Sequence, residues 1–226
     1  VGTVDNPVPI GLYAITDSQL TPSATLVASV EAAILGGAVI VQYREKSAPM
    51  AERLAQARNL QSVCATTDIP LLINDDIELA KRIGAAGVHL GQGDSSATEA
   101  RQLLGDNAII GITCHANIKM AEAATAAGAD YLAFGRFFTS STKPDAPPAA
   151  TNILAEAKRF SLPVTAIGGI TTDNGERLIR AGADLLAVVG GLFGGNPETT
   201  KQKAKDFQRL FASHHPFFST PHKQES

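Results

Sequence analysis

The chain has 226 residues, 44% of them hydrophobic and 18% charged, and a formal net charge of −3. That composition suits one globular domain with a sizeable core, and it excludes the broad basic field that recruits nucleic acid. No apolar run approaches the roughly 18 residues that span a bilayer, residues 1–9 lack the basic and apolar regions of a signal peptide, and Cys64 and Cys114 share no disulfide or zinc spacing, so a reducing cytoplasm is the expected setting.

Residues 10–16 read as a first strand. Leu26, Val30, Ala33 and Ile34 follow at helical spacing over 26–35, and Gly36-Gly37 stops that helix before a second strand at 39–44. A helix over 50–63 leads to a strand at 71–74. Gly84 precedes a strand at 87–90, and Ser96-Ala97-Thr98-Glu99 has the capping-box pattern of a helix start. Strand 109–113 and helix 118–127 end at Gly128, which feeds strand 131–135. Strand 164–167, a helix entry at Asp173-Asn174-Gly175-Glu176 with Asp173 in the capping place, a stop at Gly182 and strand 185–189 complete the series. From residue 213 the pattern dissolves into His, Pro, Ser and Lys, which reads as a mobile tail over 213–226 after a catalytic domain over 1–212.

Eight short apolar strands, four of them following a helix-end glycine (Gly36, Gly84, Gly128 and Gly182), mean βαβ units and a parallel sheet. Runs such as Leu71-Leu72-Ile73 and Ala187-Val188-Val189 are apolar on both faces, as strands buried on both sides must be. Eight units predict a single closed (β/α)8 barrel of the TIM type. An open doubly wound sheet loses its main support, because neither GxGxxG after the first strand nor GxxxxGK[ST] occurs.

The unusual polar residues all follow the C-terminal ends of their strands. They are Gln42, Arg44, Glu45 and Lys46, then Asn74 and Asp75, Asp94, Thr113, the run Ser140-Ser141-Thr142-Lys143, and the glycine pairs Gly168-Gly169 and Gly190-Gly191. That is the face on which such barrels build active sites. Glycine pairs let backbone N–H groups approach a phosphate. Ser140 to Lys143 adds hydroxyls and an ammonium. Asp75 and Asp94, with ligand oxygens, make a donor set for Mg2+. Gln42, Arg44 and Lys46 alternate along extended chain and so share a side. Taken singly, these segments also have bland readings as solvated strand ends, turns or helix caps, weakest for 42–46 and strongest for Asn74-Asp75 and Asp94; their joint position favours a site for phosphorylated small molecules. No activated nucleophile is visible, which suggests chemistry in which cations stabilise a departing diphosphate. His89 reads as a packed, hydrogen-bonded histidine, and the cysteines as small apolar fillers.

Over about residues 11–195 the chain resembles the thiamine phosphate synthase family. The resemblance rests on Gly11-Leu12-Tyr13-Ala14-Ile15-Thr16-Asp17, Gln42-Tyr43-Arg44-Glu45-Lys46, Ile73-Asn74-Asp75, the segment from Gly87 to Asp94, Thr142-Lys143-Pro144 and Ala166-Ile167-Gly168-Gly169-Ile170, in that order and spacing. It implies an enzyme that joins hydroxymethylpyrimidine diphosphate to hydroxyethylthiazole phosphate, releasing pyrophosphate by a dissociative route. It further implies that Gln42, Arg44, Lys46, Asn74, Thr113 and Lys143 hold the pyrimidine diphosphate, that Lys46, Thr113 and Lys143 assist the chemistry, that Asp75 and Asp94 hold Mg2+, and that Ser140, Thr142 and Gly169 take the thiazole phosphate. Thr113 and Ser140 exchange one hydroxyl residue for another, whereas Gly190 lacks a hydroxyl common in the family, which implies weaker thiazole binding. The expected partners are small phosphorylated substrates, with neither nucleic acid nor membrane, and the sequence leaves room for a homo-oligomer. A thiazole tautomerase on the same barrel, a Schiff-base aldolase and a non-catalytic phosphate binder are the competing readings.

Overall fold

A computed structural model describes residues 8–91, 96–138 and 148–219. The eight strands are β1 (Gly11–Ile15), β2 (Ala38–Tyr43), β3 (Leu71–Asn74), β4 (Gly87–Leu90), β5 (Ile109–His115), β6 (Tyr131–Gly135), β7 (Val164–Ile167) and β8 (Leu185–Val188). All pair in parallel with their sequence neighbours, and β8 returns to β1, so the sheet closes as a (β/α)8 barrel. Around it run α1 (Leu26–Leu35), α2 (Met50–Thr66), α3 (Ile77–Ile83), α4 (Ala97–Leu104), α5 (Ile118–Ala126), α6 (Asn152–Ala157), α7 (Gly175–Arg180), α8 (Pro197–His214) and the short α9 (Pro216–Ser219).

Strand parity divides the core in two. Tyr13, Ile15, Ile40, Leu72, Ile109, Tyr131, Ala133, Leu185 and Ala187 fill the barrel interior. Their neighbours, such as Leu12, Ala14, Val41, Leu71, Ile73 and Val88, face outward onto helix stripes that include Leu26, Val30, Ala33, Leu60 and Cys64. Burial on both faces explains the continuous apolar runs. It also holds both cysteine thiols up at about 12, inert as thiolates.

Punctuation follows the sequence with local exceptions. Gly84 ends α3 in the left-handed conformation, φ 66°. Gly36 does not: it closes α1 at φ −87°, and a Cβ there would lie 2.5 Å from Ala204 Cβ, so this glycine serves the packing of α1 on α8. Ser96 forms the expected capping box with Glu99. At α7 the N-cap position belongs to Asn174 rather than Asp173, and its side chain works in the preceding loop, accepting from Thr171 N and donating to Gly169 O. The boundary expected at residue 213 falls inside α8, which runs to His214. His215 beyond it is buried against Asp184, with Nε2 3.2 Å from Oδ1. No described helix is long and apolar enough to cross a membrane.

Candidate active site

The C-terminal ends of the strands converge on one mouth, and β2 shows how a short segment serves it. Tyr43 turns outward and donates its hydroxyl to Gln56 on α2, 2.6 Å. Glu45 folds back: its Oε1 accepts from Ser47 N and Oγ and from Ala48 N, at 2.6, 2.7 and 3.0 Å. Burial opposes ionisation of this carboxyl, but those hydrogen bonds win and its pKa is lowered. With Tyr43 and Glu45 holding the β2–α2 connection, the alternate residues are left for the mouth. Gln42 lies inside the barrel, 2% exposed. Arg44 has its backbone N–H on Thr16 Oγ1 at 2.9 Å and its guanidinium 3.8 Å from Asp17 after β1. Lys46 is 60% exposed and reaches Asp75 Oδ2 at 3.1 Å.

At the end of β3, consecutive aspartates have separate tasks. Asp76 is the cap of α3, accepting from Leu79 N at 2.8 Å and pairing with Arg53 at 2.8 Å. Asp75 is thereby released from the capping role that the sequence equally allowed. It adopts φ 65°, unusual for a non-glycine residue, with its N–H on His89 O. Its carboxylate accepts from Asn74 Nδ2 at 2.5 Å and faces Lys46. It also lines a cavity of about 630 Å3 with Asp76, Glu78 and Glu99. The Asp75 carboxylate is an oxygen donor of the kind Mg2+ takes when a phosphorylated ligand supplies its other oxygens; among the described residues no group of three or more metal-ligating side chains forms a complete protein cage.

Below the mouth lies a buried polar chain that sequence reading missed as a unit. Gln42 Nε2 donates to Tyr13 Oη at 2.5 Å, and Tyr13 Oη is 2.8 Å from Tyr131 Oη. Tyr131 Oη is 2.8 Å from His89 Nδ1, and His89 Nε2 is 2.9 Å from Thr113 Oγ1. His89 is the packed, hydrogen-bonded histidine expected. Burial drives its pKa down to about 4 against the opposing charge of Asp75, so the imidazole is neutral near pH 7. Burial likewise raises both tyrosine phenols. The available signal was parity: Tyr13, Gln42, His89 and Thr113 are polar residues on the inward-facing side of strands near their C-terminal ends.

On the opposite side of the mouth, Gly168 and Gly169 follow β7 at φ 103° and 67°. A Cβ at Gly168 would lie 2.3 Å from Arg136 Cβ, so the close approach of these loops requires glycine. Gly190, by contrast, has room: a Cβ would meet only Leu20, at 3.7 Å. Asp94, Ser140, Ser141, Thr142 and Lys143 lie outside the described residues. Gln42, Arg44, Lys46, Asn74, Asp75, Thr113 and Gly169 all lie on the face the sequence assigned.

The fold and this face define a (β/α)8-barrel protein with a polar, cation-bearing mouth at the C-terminal ends of its strands. A family model described as thiamine monophosphate synthase matches residues 12–192, and the chain belongs to that family. It is similar to a protein of Marinobacter nauticus named thiamine-phosphate synthase, 63% identical over 219 residues, 97% of this chain and 99% of that one. Among solved structures it is similar to the thiamine phosphate pyrophosphorylase of Pyrococcus furiosus, with a TM-score of 0.80 and 30% identity over 90% of this chain and 96% of that one. The thiamine phosphate pyrophosphorylase of Bacteroides thetaiotaomicron superposes with a TM-score of 0.68 at 17% identity over 91% of this chain and all of that one, a likeness of fold alone.

Proposed function

We infer that the protein is a transferase that makes thiamine phosphate, joining hydroxymethylpyrimidine diphosphate to hydroxyethylthiazole phosphate with release of pyrophosphate. The observation that carries this reading is the set Gln42, Arg44, Lys46, Asn74 and Asp75 gathered at one mouth, in a chain matched nearly end to end by a relative of that name. Arg44 and Lys46, with Lys143, bind the diphosphate as cations and stabilise its negative charge as the bond to the pyrimidine methylene breaks. Asp75 and Asp94 hold a Mg2+ ion, which supplies further charge neutralisation on the same diphosphate when bound. Gln42, Asn74 and Thr113 orient the pyrimidine. Ser140, Thr142 and the Gly169 backbone receive the thiazole phosphate. The thiazole nitrogen is itself the nucleophile, which accounts for the lack, among the described residues, of a serine or cysteine paired with a base. The tautomerase reading is not favoured, since that chemistry gives no role to the Arg44, Lys46 and Asp75 set.

The test is incubation of purified protein with both substrates, in Mg2+ or in EDTA, with thiamine phosphate and pyrophosphate assayed together. Mg2+-dependent formation of both in equal amounts is the expected result. Tight binding of either substrate without product would return the chain to the tautomerase or phosphate-binder readings.

A further inference from the structure

In the β7–α7 connection, successive backbone carbonyls are tied down one after another. Gly168 O accepts from Phe138 N at 3.0 Å, on the β6 side. Gly169 O accepts from Asn174 Nδ2 at 3.0 Å. Ile170 O lies against the β8–α8 connection, where a Cβ on Gly191 would fall 2.0 Å from it. A trans peptide is planar, and its N–H points opposite to its C=O. Fixing the Gly168 carbonyl toward β6 therefore turns the Gly169 N–H toward β8. Fixing the Gly169 carbonyl on Asn174 turns the Ile170 N–H away from that side chain. Neither N–H has an acceptor among the described residues, although Ile170 is only 3% exposed. Buried N–H groups are almost always paired, and two neighbouring donors after strand seven of a barrel suit the oxygens of one phosphate.

Asn174 sets this arrangement with both ends of one carboxamide. Its Oδ1 accepts from Thr171 N at 2.9 Å while Nδ2 donates to Gly169 O. Those two partners fix which end is oxygen and which is nitrogen. The turn itself is closed by backbone: Thr171 O accepts from Asn174 N at 3.3 Å and from Gly175 N at 3.0 Å. Nor does the side chain cap α7. At α3, α5 and α8 the caps Asp76, Asn117 and Asn196 each accept from an N–H ahead of them. Asn174 reaches backward instead, and it grips a carbonyl, which no capping side chain needs to do. An aspartate is as good a cap, but it offers only acceptors and cannot hold that carbonyl.

We propose that Asn174 is a positioning residue of the thiazole-phosphate site: by holding the Gly169 carbonyl it aims the Ile170 N–H, beside that of Gly169, at the phosphate. That the phosphate belongs to a thiazole rests on the reading given above; the clamp and the two N–H groups do not. The group recognised is a phosphate monoester, met by uncharged backbone donors on the β7 side, apart from the cations Arg44 and Lys46 after β2. A carboxylate at position 174 would face the Gly169 carbonyl oxygen to oxygen and turn that peptide, taking the Ile170 N–H with it.

Asn174→Asp separates this role from a structural one, because it keeps an acceptor for Thr171 N and loses the donor. It is expected to raise the KM for hydroxyethylthiazole phosphate about tenfold and to leave the KM for hydroxymethylpyrimidine diphosphate within about twofold of wild type. A residue that only stabilised the turn or the helix end would leave both unchanged. The second readout needs no turnover. In the full chain labelled with 15N and titrated with inorganic phosphate, the Gly169 and Ile170 amide resonances are expected to shift together, and in Asn174→Asp the Ile170 shift is expected to be lost. If Asn174→Asp does not fold, Asn174→Ala, which retains both bonds to Thr171 O, is read in the same way. A wild-type Ile170 amide unmoved by saturating phosphate would overturn the proposal, as would a variant that keeps both the wild-type KM and the wild-type phosphate response. Phosphate shifts that depend on Asn174, in a protein that makes no thiamine phosphate, would uphold the clamp and overturn the thiazole reading alone.

Discussion

The two ends of the barrel carry similar residues and use them in opposite ways. At the N-terminal floor, the sequence Gly-Ala-Asp recurs before β6 and β8. Asp130 Oδ2 accepts from Ile110 N at 2.7 Å and from Arg101 at 2.7 Å. Asp184 Oδ2 accepts from Val164 N at 2.7 Å, while Lys158 and His215 close over the same carboxylate. In both, the aspartate ties its own strand to the start of the preceding one, and its backbone N–H repeats the link, on Ile110 O and Val164 O. At the mouth, Arg44 stands 3.8 Å from Asp17, and Lys46 is mostly in solvent beside Asp75. Charges on the floor answer to the protein and are saturated by it. Those at the mouth are loosely paired and can be turned toward a ligand, which is the division between stability and activity expected of such barrels.

The sharpest way to break this comparison is to remove a floor charge. Asp184→Ala leaves the buried Val164 N–H without its carboxylate acceptor, whereas Lys158, partly exposed, is resolvated. It is expected to cost about 3 kcal/mol in urea unfolding, while kcat/KM of the folded enzyme stays within about twofold. The pH dependence of stability is the next largest effect. His89 has its folded pKa below the ordinary histidine value, so the stability it contributes is full above about 6.5 and is lost as pH falls toward about 4. That loss is on the order of 3 kcal/mol, and unfolding curves of His89→Asn across the same window should show a shallower slope. Asp184, whose carboxyl is also held low, by His215, Lys158 and Val164 N–H bonds that outweigh burial, adds its loss only at more acid pH. Arg44→Ala should leave unfolding within about 1 kcal/mol of wild type but lower kcat/KM for the pyrimidine diphosphate about 100-fold, roughly 2.7 kcal/mol. The smallest change is Gly190→Ser. The space beside Leu20 admits it, and steady-state kinetics should show the KM for thiazole phosphate falling a few-fold, about 1 kcal/mol.

Much of the fold was legible because it is written locally. Strands 71–74, 87–90, 131–135 and 164–167 coincide with the sequence reading residue for residue, since burial on both faces keeps their runs largely apolar and the approach to each is punctuated, by Gly84 and Gly128 in two cases and by Pro70 and Pro163 in the others. The polar residues at the mouth were legible for a related reason: strand ends and their loops follow from the strands. What was not legible is nonlocal. Tyr13 and Tyr131 are 118 positions apart and meet only once the barrel closes. Gly111 resembles any strand glycine until the Tyr131 ring is placed over it. The choice of Asp76 over Asp75 as the cap of α3 depends on Arg53, a residue of a different helix.

The claim that the mouth takes a diphosphate together with a divalent cation is tested most directly by calorimetric titration of hydroxymethylpyrimidine diphosphate into the purified protein with Mg2+, with EDTA, and into Asp75→Ala with Mg2+. The account predicts one site per chain with Mg2+ and a loss of affinity of about 100-fold or more in the other two titrations. Equal affinity in all three would contradict it.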